Sequence, residues 1–260
     1  MRNDMTENPY RTLFRLDGKR AVLIGAGGIG REVALALAAH GAFVVCADKD
    51  PEVAKQTAAA VSGEAVSLDV TDGAAVRDAA RSLGDVDILV LTAATNVRKR
   101  MLDYTEEEFD RVTGLNLKAT FTVLQSFGRA MVERGSGSIV VFSSVRGFVV
   151  EPGQSVYAAT KAGAIQLVKT AAVEFGEAGV RVNAVAPGVV ETPLTNQIKA
   201  NKEWYDAYAT KGALGRWSQP SELTGAVVFL ASEAASFVTG STVAVDGGWT
   251  AVDGRFTPPT

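Results

Sequence analysis

The sequence predicts a doubly wound α/β fold: one domain over residues 1–260, built on a parallel sheet of about seven strands with helices on both faces. Three observations carry this reading. Short β-branched runs alternate with Ala-rich helical stretches along the whole chain. Uniformly apolar segments such as Ile88-Leu89-Val90-Leu91 read as strands covered on both faces, the mark of parallel sheets. A glycine-rich turn joins the first such strand to the first helix.

The elements follow in order. Arg20–Ile24 reads as the first strand, and a helix from about Ile29 to Ala39 is stopped by His40-Gly41, with Gly at its C-terminal end. Ala42–Ala47 is the second strand, and Pro51 opens a helix to about Ala60. Further strands are expected at Ala65–Leu68, Val86–Leu91, Ser138–Phe142, Arg181–Val185 and Thr242–Val245, and helices at Thr105–Glu133, Gln154–Gly176 and Ser221–Ser232. Residues 1–17 read as an N-terminal extension, 191–217 as a substrate lid and 249–260 as a C-terminal tail.

Composition narrows the chemistry. The 260 residues are 47% apolar, carry a net charge of −3 and contain one Cys and one His. Cys46 cannot form an intramolecular disulfide, and one Cys with one His cannot build a Cys/His metal site, so no metal is expected. Two-His metalloprotease motifs are excluded. The mild acidity predicts no nucleic-acid partner, and the lack of a long apolar run predicts no membrane span and no signal peptide, hence a cytoplasmic protein. His40 reads as a helix-end residue and Cys46 as a small buried apolar residue. Chemistry must then run on Tyr, Lys, Ser, Asn and carboxylates, or on a bound cofactor.

The turn Gly25-Ala26-Gly27-Gly28-Ile29-Gly30 fits G-x-G-x-x-G between a strand and a helix, as in Rossmann dinucleotide sites. Glycine lets the backbone turn tightly and approach a pyrophosphate, which the helix N-terminus then receives. Asp48 closes the second strand 18 residues after Gly30, placed to accept hydrogen bonds from ribose hydroxyls and to repel a 2′-phosphate. That favours NAD. Lys49 beside it could compensate a phosphate and keeps NADP open.

Tyr157 and Lys161 stand four apart on one predicted helix face, an arrangement in which an ammonium can favour a phenolate and make a general base. With five Tyr in the chain, that spacing alone says little. Its surroundings say more. Ser144 lies 13 residues before Tyr157 at the end of a strand, and Asn116 lies in the preceding long helix. Together with Asn183-Ala184-Val185-Ala186-Pro187-Gly188, Asp69-Val70 and Val245-Asp246-Gly247-Gly248, these residues resemble the short-chain dehydrogenase/reductase family along nearly the whole chain. The glycine turn is one residue shorter than the family's T-G-x-x-x-G-x-G, with Ile24 for Thr, and Thr92-Ala93-Ala94 stands where the family has N-A-G.

The resemblance implies a mechanism. Tyr157 takes the proton of the substrate hydroxyl, Ser144 hydrogen-bonds the same oxygen, and Lys161 lowers the Tyr157 pKa and holds the nicotinamide ribose. Asn116 holds a water that links Lys161 to solvent. It also implies that Asp69 and Val70 contact adenine, that Thr92, Ala93 and Ala94 lie by the adenosine ribose, and that Pro187, Gly188, Val190 and Thr192 line the nicotinamide side. A homotetramer is implied as well, and Trp249 is expected at a subunit interface.

Asn96, Arg98, Arg146, Glu151 and Gln154 form an expected polar substrate wall, with Ser144 at its reacting end and Trp204 on the lid. Arg suits a carboxylate or vicinal hydroxyls. The reading is an NAD-dependent oxidoreductase for a CH–OH group of a sugar, polyol or sugar acid. The alternatives are an NADP-dependent carbonyl or ketoacyl-type reductase, and a silent nucleotide-binding protein.

Overall fold

A computed structural model describes residues 8–253. Among these, seven strands form one parallel sheet in the order β3-β2-β1-β4-β5-β6-β7. The strands are β1 (Arg20–Ile24), β2 (Phe43–Asp48), β3 (Glu64–Ser67), β4 (Ile88–Leu91), β5 (Gly137–Phe142), β6 (Val180–Pro187) and β7 (Thr242–Val245). The helices are α1 (Ile29–Ala39), α2 (Pro51–Ala60), α3 (Gly73–Ser82), α4 (Glu106–Thr113), α5 (Ala119–Arg134), α6 (Ser155–Gly176), α7 (Asn196–Lys199), α8 (Lys202–Lys211) and α9 (Thr224–Ala231). The strand order reverses between β1 and β4, which places a crevice beyond their carboxyl ends, where open α/β sheets bind ligands.

Successive side chains of the central strands alternate between two cores. Val22 and Ile24 of β1 face α3, α5 and α6 through Val76, Phe127 and Val168. Ala21 and Leu23 face α1 and α9 through Val33, Leu37 and Leu230. Burial on both faces explains why central strands such as β4 are uniformly apolar.

Three expectations change. The expected helix Thr105–Glu133 is broken by a π-turn over Gly114–Lys118, which separates α4 from α5. Helix α3, not foreseen, starts at Asp72, whose carboxylate accepts from the Ala74 and Ala75 amides. The N-terminal extension is shorter than residues 1–17: the Leu13 carbonyl accepts from Ala234 N–H, and buried Leu16 donates its amide to the His40 carbonyl. Residues 1–7 of that extension and 254–260 of the tail lie outside the described residues. His40 ends α1, with its Nδ1 2.8 Å from the Ala36 carbonyl oxygen. Cys46 is buried in β2, and burial pushes its thiol up to about 11. No helix of the described residues is long and apolar enough to cross a membrane.

Asn183 stitches β6 to the chain entering β7. Its Nδ2 donates to Val238 O at 2.8 Å and its Oδ1 accepts from Ser241 N at 3.0 Å, in a side chain with 0% exposure. Asn183→Ala strands both backbone groups and is expected to cost about 1–3 kcal/mol in urea denaturation, the usual penalty for buried polar groups left unpaired. A loss within experimental error would show that this stitch contributes nothing.

Candidate active site

Every strand of the sheet ends at the same edge, and the loops that follow supply the site. After β1, Gly25 adopts φ +96°, and a Cβ there would stand 2.6 Å from Thr92 Oγ1, so only glycine lets the turn pass beneath the end of β4. Thr92 Oγ1 donates to Gly25 O at 2.6 Å and its amide to Ile24 O at 2.9 Å, locking the two loops together. Asp48 ends β2 with both carboxylate oxygens engaged: Oδ2 accepts from Ala26 N at 2.8 Å and Oδ1 from Asp50 N at 3.0 Å. The carboxylate is therefore fixed against the glycine turn.

Gly25, Gly27, Asp48, Lys49, Asp69, Val70, Thr92, Ala93 and Ala94 line a single cleft of about 270 Å³, with Ile24, Leu68 and Leu115 as apolar walls. A fixed carboxylate, a glycine turn and apolar sides suit the adenosine end of a dinucleotide. Gly28 caps α1 at φ +51°, Ile29 begins that helix, and Gly30 is buried beneath Gly25. Pro187 closes β6, and the Gly188 amide bonds Val245 O at 3.0 Å. Val190 pairs with Ser218, and Thr192 caps the turn Pro193–Thr195. That turn brings Pro193 beside Gly28.

The π-turn presents Asn116, which is buried. Its Oδ1 accepts from Thr95 N at 2.9 Å, and its Nδ2 donates to Thr95 O at 2.8 Å and to Thr160 Oγ1 at 3.2 Å. Both ends of the amide thus clamp the loop after β4 onto α6.

Ser144 follows β5, and its Oγ accepts from the Arg146 amide at 3.1 Å. The same hydroxyl stands by Tyr157, where it favours the phenolate. Tyr157 and Lys161 occupy successive turns of α6. Burial pushes the Tyr157 phenol up; the Ser144 bond and the charges of Arg146 and Arg98 pull it back in part. Lys161 Nζ donates to Phe142 O at 2.9 Å and lies 5.6 Å from the Tyr157 ring centroid, and burial lowers its pKa to about 8. Burial holds the phenol above its ordinary value, and the charges of Arg146 and Arg98 oppose that rise.

The polar wall assembles around Glu151. Its carboxylate accepts from Arg98 Nη1 and Arg146 Nη2, each at 2.6 Å, and from Tyr208 Oη and Gln154 Nε2. Burial alone would raise this carboxyl, but the bonds from Tyr208 and Arg98, the charge of Arg146 and the bond from Gln154 hold it below the usual carboxylate range. Gln154 Oε1 accepts from Asn96 Nδ2 at 3.0 Å. Trp204 of α8 covers the Arg98 guanidinium at 5.0 Å, and Trp249 covers that of Arg146 at 5.2 Å. Trp249 is thus already buried within the chain, beside Tyr208 and Trp217, rather than left free for a subunit interface. Tyr208, Trp217 and Trp249 are the contributors that sequence reasoning did not assign to the wall. The close spacing of Trp204, Tyr205 and Tyr208 was the available signal. The ends of segment 191–217 are held together by Glu191 N to Ser218 O at 2.9 Å and Ser218 N to Val189 O at 3.0 Å.

Comparison with known proteins agrees with this geometry. The family model described as enoyl-(acyl carrier protein) reductase matches residues 25–250. The chain is 40% identical over 251 residues to galactitol 2-dehydrogenase (L-tagatose-forming) of Cereibacter sphaeroides, covering 93% of this chain and 98% of that protein. It is 37% identical to gluconate 5-dehydrogenase of Gluconobacter oxydans, covering 92% and 97%. The crystal structure of a gluconate 5-dehydrogenase from Burkholderia cenocepacia in complex with NADP and tartrate superposes with a TM-score of 0.90 at 34% identity, covering 93% and 98%. The chain belongs to the short-chain dehydrogenase/reductase family and is an oxidoreductase acting on CH–OH groups.

Proposed function

We propose that this protein is an NAD-preferring dehydrogenase oxidising a CH–OH group of a sugar, polyol or sugar acid, with Tyr157 as general base. One observation carries the substrate class: the Ser144–Tyr157 hydroxyl pair stands beside a wall of Asn96, Gln154, Glu151, Arg98 and Arg146. An acyl chain calls for an apolar slot, whereas hydroxyl-rich substrates call for convergent donors and acceptors. The relatives named as galactitol and gluconate dehydrogenases support the same class.

In this reading Gly25, Gly27, Gly28, Ile29 and Gly30 receive the pyrophosphate, Asp48 the adenosine ribose, and Asp69, Val70 and Thr92–Ala94 the adenine side. Pro187, Gly188, Val190 and Thr192 flank the nicotinamide. When bound, NAD supplies the hydride acceptor. Tyr157 Oη takes the proton of the substrate hydroxyl, and Ser144 Oγ–H stabilises the charge that develops on that oxygen. Lys161 Nζ, held by the Phe142 carbonyl, keeps a proton close to the Tyr157 ring. Asn116 fixes α6 against the loop after β4, and so fixes where Tyr157 stands. Lys49 in the cofactor cleft, and the NADP of the related gluconate 5-dehydrogenase structure, favour a second reading in which NADP serves. Exposed Phe121 on α5 (50%) and Val173 on α6 (78%) support assembly as a homotetramer through those helices.

An NAD⁺ reduction screen over polyols, aldoses, aldonates and uronates tests the proposal, and no turnover across the panel with either nucleotide would overturn it. Tyr157→Phe is expected to lower kcat by about 10²–10⁴-fold, the range of general acid–base catalysis, with nucleotide affinity kept. Because burial raises the phenol, oxidation is expected to quicken as pH rises into the alkaline range. Arg146→Gln removes a charge that opposes that rise, so its rate profile should move to higher pH; a shift the other way contradicts the assignment.

Titration with both nucleotides is expected to give NAD⁺ about tenfold tighter binding than NADP⁺, corresponding to roughly 1.4 kcal/mol. Asp48→Ser should narrow that gap. Equal affinities in the wild type would favour the NADP reading.

A further inference from the structure

We infer that Glu151 sets the charge selectivity of the substrate site: by occupying the guanidinium groups of Arg98 and Arg146, it selects an uncharged polyol or sugar over a sugar acid. This inference rests on the dehydrogenase reading above and narrows its substrate class.

Two arginines converging beside a catalytic hydroxyl pair would ordinarily make a carboxylate clamp. Here one arm of each guanidinium is already taken by the protein's own carboxylate. Glu151 takes one nitrogen from each guanidinium at 2.6 Å, and all three side chains are largely buried, with Arg146 6% and Glu151 19% exposed. The flat faces are covered too, by Trp204 over Arg98 and by Trp249 over Arg146. Glu151 cancels about half of the positive charge that the two arginines would otherwise offer, so a substrate carboxylate approaching this pair gains less than it would from free arginines and also meets the Glu151 oxygens, an element that disfavours it.

A second observation points the same way. An ionised carboxylate can only accept hydrogen bonds, so Gln154 must turn its Nε2 toward Glu151. That leaves Gln154 Oε1 facing Asn96, which must answer with its Nδ2 at 3.0 Å. The relay ends on Asn96 Oδ1, an acceptor that is buried and has no hydrogen-bond partner among the described residues. The charge on Glu151 thus fixes the polarity of a group two side chains away. A substrate hydroxyl brought to that oxygen would satisfy it, whereas a carboxylate oxygen in the same place could only accept and would not.

The test compares matched substrates: a tetritol, a pentitol and a hexitol, each paired with its own aldonate, assayed with NAD⁺ and NADP⁺. The wild-type enzyme is expected to favour the polyol of its best pair by at least about tenfold in kcat/KM, one step of roughly 1.4 kcal/mol. Glu151→Gln should shift the acid-to-polyol ratio toward the acid by a similar factor, chiefly through a lower KM for the aldonate. A purely structural role for Glu151 would depress both substrates together and leave the ratio alone. A wild-type preference for the aldonate overturns the inference while the dehydrogenase reading stands, and this arm holds whether or not Glu151→Gln folds. An unchanged ratio in a folded Glu151→Gln also overturns it. If neither member of any pair nor any other sugar is oxidised, the dehydrogenase reading falls and this inference falls with it.

Discussion

Seven strands running in one direction deliver every following loop to the same edge of the sheet, and the candidate site is made from those loops. The glycine turn follows β1, Asp48 ends β2, Thr92 to Arg98 follow β4, Ser144 to Glu151 follow β5, and Pro187 to Thr192 close and follow β6. Parallel direction has a cost: each crossover needs a covering element, and both faces of the sheet must be buried. Two separate apolar cores meet that demand. The reversal of strand order between β1 and β4 then opens the crevice, because the two neighbouring crossovers leave to opposite faces.

Within that frame, Glu151 organises the polar wall of the candidate site. A buried carboxylate is unfavourable unless charge and hydrogen bonds compensate it, and removing one partner leaves charge uncompensated. Four donors converge on Glu151 from four places: Arg98 after β4, Arg146 after β5, Gln154 at the start of α6 and Tyr208 in α8. The requirement to compensate one charge therefore ties the lid to the body of the domain. The aromatic cluster of Tyr205, Tyr208, Trp217 and Trp249 adds apolar burial to the same junction. Tyr205 is stacked on Trp217 at 4.8 Å, and Tyr208 lies 5.4 Å from Trp249.

The fold was legible where local pattern and tertiary demand agree. The apolar runs at Arg20–Ile24 and Thr242–Val245 are strands with the expected bounds, and Gly25 to Gly30 stand between strand and helix as their spacing implies. Legibility failed where hydrogen bonding departs from period. Nothing in Gly114-Leu115-Asn116-Leu117-Lys118 breaks a helical pattern, yet the chain takes a π-turn there and aims Asn116 at the loop after β4. Trp249 illustrates a second limit. An aromatic near a chain end has no periodicity to place it, and only the folded chain brings it over Arg146. The substrate wall was legible as a set of polar residues, but its wiring was not. That Glu151 pairs with Arg98 and Arg146 depends on geometry alone.

Four-residue spacing puts Lys161 one turn from Tyr157, with Nζ 5.6 Å from the ring centroid. What the spacing does not carry is burial, which favours the neutral form of both groups, raising Tyr157 and lowering Lys161 to about 8. Below that value Lys161 keeps its proton, with Nζ directed at the Phe142 carbonyl. The positive field that offsets burial at the phenol comes from Arg146 and Arg98, the same two groups that build the substrate wall. Glu151 pairs with both of these arginines, so the carboxylate that fixes the polar wall also fixes the position of the charges that act on Tyr157.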